Sequence, residues 1–121
     1  MAVFQTTNAS MVAVRATGSA CAGDDLLVLA VTANSVSTAW CAAFGGDGAP
    51  IVTTSDGTTD PIVWVVGAEG DNALYAFDGE TGKLLIAASG GANFISRGQT
   101  PIWANGRFYV AANGAVYAFT Y

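Results

Sequence analysis

The most informative segment of the chain is residues 68–86, AEGDNALYAFDGETGKLLI. Within it, residues 72–78 alternate side chains between two faces, which is the period of two of a β-strand, and residues 83–88 form a returning strand. The intervening turn begins with Asp78, whose carboxylate can accept backbone N–H groups, and ends with Gly82, which is free to adopt positive φ. The segment therefore predicts a β-hairpin with a glycine bulge.

The hairpin also carries a recognisable pattern. It resembles the repeat of quinoprotein-like (PQQ-like repeat) β-propellers, A-x-D-x-x-T-G-x-x-x-W, in which the tryptophan docks onto the neighbouring blade. The matching residues are Ala76, Asp78, Thr81 and Gly82, and Ile86 stands at the position of the tryptophan. The resemblance implies an all-β fold built from four-stranded antiparallel blades, with aliphatic packing in place of tryptophan docking at Ile86.

The same spacing recurs elsewhere in the chain. Ala30 precedes Trp40 by the distance that separates Ala76 from Ile86, and the segment around Ala118 repeats the Tyr-Ala-Phe of the central strand. Pro-Ile at residues 50–51 recurs at residues 101–102. These spacings, about 40–50 residues, are typical of a propeller blade. We therefore treat Ala30, Trp40 and the residues of the central pattern as structural positions, including the polar pair Asp78 and Thr81.

Three units follow from this reading, and together they form one domain or a fragment of one. The first, residues 1–46, is divergent, the second, residues 47–91, is regular, and the third, residues 92–121, lacks an outer strand. Asn-Gly pairs at residues 105–106 and 113–114 predict two tight hairpins in the third unit. The short segment at residues 2–6 is a candidate for its missing outer strand, from the same chain or from a neighbouring copy.

Three blades are too few to close a ring, because propellers have about four to eight. The chain is therefore either part of a longer propeller or a unit that self-associates, most simply as a six-bladed dimer. An open stack would expose apolar faces at both ends, which favours self-association.

Composition excludes several functions. The chain has a net charge of −5, with 11% charged residues and no histidine. A clustered cationic face for nucleic acid is therefore not expected, nor is a Ser-His-Asp relay. The longest apolar run, about residues 26–31, is too short to cross a membrane, and the first residues lack the features of a signal peptide.

The two cysteines, Cys21 and Cys41, leave two interpretations open. One is a disulfide, which would agree with an exported parent protein. The other is a pair of buried thiols that act as small apolar groups. The spacing of the two cysteines does not match that of a metal site.

A ligand site is expected only where a loop precedes an inner strand and opens towards the centre of a propeller. The candidates there are Trp103, Arg97 and Asn93. Relatives with the resembling repeat include quinone-dependent dehydrogenases as well as scaffolds and binding proteins without a cofactor, and this chain lacks the vicinal cysteine pair that stacks on the quinone in the methanol-type enzymes. The sequence favours a non-catalytic segment without cofactor or metal and with a structural, assembly or binding role. A dehydrogenase fragment and a carbohydrate-binding propeller are the alternatives.

Overall fold

The computed structural model describes residues 1–16, 19–89, 96–97 and 99–120. Within them the chain forms eleven β-strands and one turn of 3-10 helix at Ser19–Cys21. The strands are β1 (Ala2–Gln5), β2 (Ser10–Arg15), β3 (Leu26–Val31), β4 (Val36–Ala42), β5 (Ile51–Thr53), β6 (Ile62–Val66), β7 (Leu74–Asp78), β8 (Leu84–Ala88), β9 (Ile102–Ala104), β10 (Arg107–Ala112) and β11 (Ala115–Thr120).

The strands form three antiparallel sheets in which each strand pairs with its neighbours along the chain. Sheet 1 contains β1–β4, sheet 2 contains β5–β8, and sheet 3 contains β9–β11. The predicted fold class is therefore confirmed: the protein is all-β, with meanders of the blade type, and the last sheet has three strands in the described part of the chain. The three sheets are not closed into a ring.

The N-terminal strand corrects one expectation. β1 pairs with β2 in sheet 1, where Ala2 lies opposite Ala13 and Phe4 lies opposite Met11. It is an edge strand of sheet 1 and does not complete sheet 3 within this chain. The reason is apolar burial: Phe4 is 6% exposed in the core between sheets 1 and 2.

Strand β6 shows why the sheets stack face to face. Its run Ile62–Val66 is apolar without alternation, which predicts burial on both faces. Val63 and Val65 point into one core and Trp64 and Val66 into another, and all four are 0–1% exposed. Sheet 2 is therefore enclosed between sheets 1 and 3.

Two apolar cores hold the stack together. We call the core between sheets 1 and 2 the first core, and the core between sheets 2 and 3 the second core. The buried residues of the first core are Phe4, Met11, Ala13, Leu26, Val28, Trp40, Phe44, Val63, Val65 and Phe77. Those of the second core are Trp64, Val66, Ala68, Leu74, Ala76, Phe108, Val110 and Ala112.

The predicted Asn-Gly hairpins are present in sheet 3. Asn105 and Gly106 have φ of 49° and 75°, and Asn113 and Gly114 have φ of 45° and 71°. Each pair forms the two-residue connection between paired strands. Positive φ at both positions is the geometry that makes Asn-Gly the preferred sequence for such a turn.

The repeat register supports one predicted equivalence. Ala76 pairs with Trp64 in sheet 2, and Ala118 pairs with Tyr109 in sheet 3. Trp64 and Tyr109 are themselves paired with Ile51 and with Ile102, the isoleucines of the two Pro-Ile segments. Ala118 therefore occupies the position of Ala76, as the sequence predicts.

The equivalence of Ala30 is wrong by two residues. Trp40 pairs with Val28, whereas Ile86 pairs with Ala76. Ala30 lies opposite Ser37, closer to the turn. The β3–β4 hairpin is longer than its counterpart in sheet 2, so counting back ten residues from the tryptophan does not reach the paired residue.

Candidate functional site

The hairpin between β7 and β8 is organised by one carboxylate. Oδ1 of Asp78 accepts hydrogen bonds from the backbone N–H of Glu80 at 3.0 Å and of Thr81 at 2.8 Å, and from the Thr81 hydroxyl at 2.8 Å. The N–H of Gly82, whose φ is 72°, donates to the Asp78 carbonyl at 2.8 Å. Asp78 and Thr81 therefore stabilise the turn through these hydrogen bonds, in the structural role that the sequence predicts.

A second turn uses the same chemistry. Oδ1 of Asp56 accepts hydrogen bonds from the backbone N–H groups of Thr58 and Thr59 and from the Thr58 hydroxyl. These hydrogen bonds, led by the one from the Thr59 backbone, lower the pKa of Asp56 to about 2. Burial alone would raise the pKa of Asp78, but the hydrogen bonds from Thr81 and Glu80 outweigh it, and the pKa is lowered.

These two pKa values predict loss of stability in acid. Both carboxyls have a lower pKa in the folded chain than their ordinary value of 3.8, so their contribution is complete above about pH 4. It is lost as the pH falls through the folded values, about 2 for Asp56. Urea unfolding between pH 5 and pH 2 should therefore show a falling midpoint.

Asp78→Asn is the matched variant for this acid effect, because the amide keeps an acceptor oxygen but does not titrate. Its midpoint should fall less than that of the wild type over the same pH range. An identical fall in both proteins would show that the Asp78 turn does not contribute.

Trp40 docks onto this hairpin from the neighbouring sheet. Its indole Nε1 donates to the Gly79 carbonyl at 2.9 Å, and its ring centroid lies 6.2 Å from that of Phe77. A Cβ atom on Gly82 would lie 2.7 Å from the ring, so no side chain fits there. The ring is 8% exposed, so Trp40 is buried at the contact between sheets 1 and 2.

Ile86 takes the equivalent position in sheet 2. It is half-buried and packs against the second core, to which sheet 3 contributes Phe108 and Val110. The expected aliphatic packing between two sheets is therefore present. Trp40 and Ile86 therefore occupy equivalent positions at the two successive junctions, between sheets 1 and 2 and between sheets 2 and 3.

Cys21 and Cys41 form a disulfide. Their Cα atoms are 5.7 Å apart, and the bridge ties the 3-10 turn to β4 across a sequence separation of 20. Of the two interpretations left open by the sequence, the structure has the bridge. It holds the β2–β3 loop against the outer strand of sheet 1.

Removing the bridge is expected to destabilise the chain. A Cys21→Ser, Cys41→Ser double variant should lose about 3 kcal/mol of unfolding free energy. Without the crosslink the unfolded chain regains conformational entropy, and for a loop of this length that entropy is worth about as much. Urea unfolding at one protein concentration measures the loss. The wild type in reducing agent is the control and should match the variant, whereas a reduced wild type that unfolds at the same urea concentration as the oxidised form would contradict the expectation.

Arg97 lies in a cluster of ion pairs that crosses the connections between sheets. Its guanidinium is 3.2 Å from Asp47 and 3.1 Å from Glu69, and its backbone N–H donates to Glu69 at 3.1 Å. Arg15, at the end of β2, pairs with Asp47 as well. Arg97 therefore links two loops. The exposed pair that it forms with Glu69 contributes only about 0–1 kcal/mol. Sequence reasoning missed Arg15 and Asp47, because pairs so distant in the chain leave no local pattern.

Trp103 lies apart from Arg97. It belongs to the second-core side of sheet 3, where its ring centroid is 4.6 Å from that of Phe108, yet 40% of the residue is exposed. Its exposed part borders an open cleft of about 290 Å³ at the start of β6. The other lining residues are Thr53, Thr54, Ser55, Asp60 and Ile62. Asn93, the third candidate, lies outside the described residues.

The loop between β6 and β7 is fixed by a tyrosine. The hydroxyl of Tyr75 donates to the Asp71 carboxylate, and Asp71 also accepts from the Ala73 N–H at 3.1 Å. The hydrogen bond to Asp71, with a smaller contribution from burial, raises the pKa of Tyr75 to about 12. Tyr75 therefore keeps its proton to a higher pH than an ordinary tyrosine and serves the loop as a hydrogen-bond donor.

The two ends of the stack expose apolar sheet faces. In antiparallel pairs, directly opposite residues share a face, so the register defines both surfaces. The apolar residues of the sheet 1 end face, which is turned away from sheet 2, are Val3, Val12, Val14, Leu27, Leu29, Val31 and Val36. Leu27 is 8% exposed, and the same face also carries Gln5, Ser10, Thr38 and the disulfide-bonded Cys41. The apolar residues at the centre of the sheet 3 end face, which is turned away from sheet 2, are Ile102, Tyr109, Ala111, Val116 and Ala118, and Arg107 and Thr120 lie on the same face. Val3, Val36, Ile102 and Val116 are each more than 60% exposed.

The described residues contain no group of three or more His, Cys, Asp or Glu side chains that could hold a metal ion. The described part of the chain also contains no helix long and apolar enough to cross a membrane. Comparisons of the chain with protein-family models, with curated proteins and with solved structures find no match.

Proposed function

We propose that the chain is a non-catalytic β-propeller segment with a structural or binding role, completed by self-association. The observation that carries this proposal is the pair of apolar end faces. The sheet 1 end face carries seven aliphatic side chains, and all of them except Leu27 are partly or largely exposed. Exposed apolar patches of this kind are typical of interaction surfaces. A second copy that covers both faces removes this apolar surface from water.

The propeller assignment is supported by how the sheets meet. Each sheet is a meander. In the two four-stranded sheets a large apolar residue of the last strand packs against the next sheet, Trp40 of sheet 1 and Ile86 of sheet 2. Stacked sheets of this form close only when enough of them are present, about four to eight. Two copies of three sheets satisfy that number.

Sedimentation velocity of the wild type tests the proposal. A particle with twice the mass of the chain is expected over a wide range of concentrations. A well-behaved species with the mass of one chain at every concentration would overturn closure by self-association.

The cleft beside Trp103 favours a second role, the binding of a neutral saccharide. Exposed indole faces pack on the apolar side of sugar rings, and hydroxyl and carboxylate groups hydrogen-bond their rims. Here Trp103 borders the cleft together with Ser55 and Asp60, which are joined by a hydrogen bond of 2.8 Å.

A titration with neutral oligosaccharides, followed by tryptophan fluorescence and by calorimetry, tests this second role. Trp103→Ala should abolish the calorimetric signal. Leu85→Ala is the control, because Leu85 is 46% exposed on the outer strand of sheet 2 and borders neither the cleft nor an end face. No heat with any oligosaccharide, or equal heat for both variants, would remove the saccharide role.

A further inference from the structure

The two internal junctions each join unlike faces. We call the face that a sheet turns towards the next sheet its forward face, and the face turned towards the preceding sheet its rear face. Forward faces carry the bulky residue of the outer strand, Trp40 in sheet 1 and Ile86 in sheet 2. Rear faces present the residues that receive it, such as Phe77 in sheet 2 and Phe108 in sheet 3. Both junctions therefore have the same polarity.

The two end faces are of opposite kinds. The sheet 1 end face is a rear face, because the forward face of sheet 1 is already buried in the first core. The sheet 3 end face is a forward face, because Phe108 and Val110 bury the rear face of that sheet in the second core. The pairing register agrees, since Ala118 on the sheet 3 end face takes the position that Ala76 has on the forward face of sheet 2.

From this polarity we infer that two copies of the chain bind head to tail, with the sheet 3 end face of each copy against the sheet 1 end face of the other. The inference rests on the proposed self-association and adds its geometry. Two such junctions are related by a twofold axis and leave neither end face exposed. A junction between two sheet 1 end faces would join two rear faces, and it would reproduce neither junction that the chain forms internally.

The pairing register also identifies which residues contact each other across the proposed junction between two copies. Ala13, Trp64 and Tyr109 occupy the same position on the second strand of sheets 1, 2 and 3. Their partners on the third strand are Val28, Ala76 and Ala118, which are themselves equivalent. The residues that precede Ala13 and Tyr109 are therefore equivalent as well, so Val12 corresponds to Phe108. Within the chain, Trp64 contacts Phe108 with ring centroids 3.9 Å apart.

By the same geometry, Tyr109 of one copy packs against Val12 of the other. In the described residues sheet 3 has no outer strand, so Tyr109 and its neighbour Val116 carry the forward side of this contact. Both lie on the sheet 3 end face, and Val116 is 68% exposed.

Two variants block one face each. Val12→Lys places a charge on the sheet 1 end face, and Val116→Lys places one on the sheet 3 end face. Leu85→Lys is the matched control, because Leu85 is 46% exposed on the outer strand of sheet 2 and belongs to neither end face. Circular dichroism and urea unfolding check that each variant is folded. If Val12→Lys does not fold, Val3→Lys replaces it, since Val3 is 61% exposed on the same face.

Sedimentation of the variants alone and mixed is the closing experiment. Head-to-tail binding predicts that each blocked variant has the mass of one chain, that Leu85→Lys remains a dimer, and that an equimolar mixture of the blocked variants recovers dimers through one intact junction. A mixture that stays at the mass of one chain, or either blocked variant forming dimers alone, would overturn the head-to-tail inference. A wild type that is itself monomeric would instead overturn the proposed self-association.

Discussion

Replacing Trp40 with alanine is expected to lower the free energy of unfolding by about 3–5 kcal/mol, the range for removing a large aromatic side chain from a core. The indole is 8% exposed, it packs near Phe77, and it bridges from sheet 1 to the hairpin of sheet 2. Its removal leaves a cavity over Gly82, where the backbone approaches the ring too closely for any side chain. Urea unfolding at fixed protein concentration measures the change.

Two further variants separate packing from hydrogen bonding. Trp40→Phe keeps an aromatic ring but leaves the Gly79 carbonyl without the indole donor, for an expected loss of about 1–3 kcal/mol. Thr38→Ala, on the exposed part of the same strand, should change stability by no more than about 0.5 kcal/mol. A Trp40→Ala variant as stable as Thr38→Ala would mean that the two sheets do not depend on this contact.

Phe108→Ala is expected to cost a similar amount, about 3–5 kcal/mol, at the other junction. Phe108 is 0% exposed, and its ring lies between those of Trp64 and Trp103, at centroid distances of 3.9 Å and 4.6 Å. Without it, sheet 3 loses its main aromatic contact with sheet 2. Urea unfolding followed by circular dichroism should show the lower midpoint.

Arg107→Ala is the control for Phe108, because it changes the preceding, exposed residue of β10. Its unfolding midpoint should stay close to that of the wild type. If the two variants were equally stable, the second core would not be what holds sheet 3 to the stack.

The sequence predicts the hairpin around Asp78 well because its signals are local. A carboxylate, a hydroxyl and a glycine at fixed spacing specify a turn whatever the rest of the chain does. The apolar run of β6 is equally informative, because a run without alternation predicts burial on both faces, and β6 is buried on both. Trp40 and Ile86 follow from the same spacing, and the structure places both at sheet junctions.

Other features depend on contacts that leave no local pattern. The short β1 fits the edge of more than one sheet by composition, and its place beside β2 is decided by the burial of Phe4 in the first core. The mismatch at Ala30 arises because the β3–β4 hairpin is longer than β7–β8, and spacing alone does not show where the extra residues lie. The sequence does not distinguish a disulfide from two free thiols at Cys21 and Cys41. The structure does, because it brings their Cα atoms to 5.7 Å and forms the bridge.

The ligand-binding role of Trp103 stays a prediction. In the structure Trp103 borders an open cleft. Arg97 instead takes part in ion pairs with Asp47 and Glu69, near the opposite end of β6 from that cleft. Charge partners so far apart in sequence cannot be paired by spacing, so the role of Arg97 becomes visible only when the loops are in place.

Small-angle X-ray scattering of the wild type, collected on the eluting peak of a sizing column, is the strongest test of closure by self-association, because it gives mass and shape together. We expect a particle of two chains with the compact distance distribution of a closed ring, at every concentration that gives a measurable signal. A particle of one chain whose scattering matches three stacked sheets with both end faces open would contradict it.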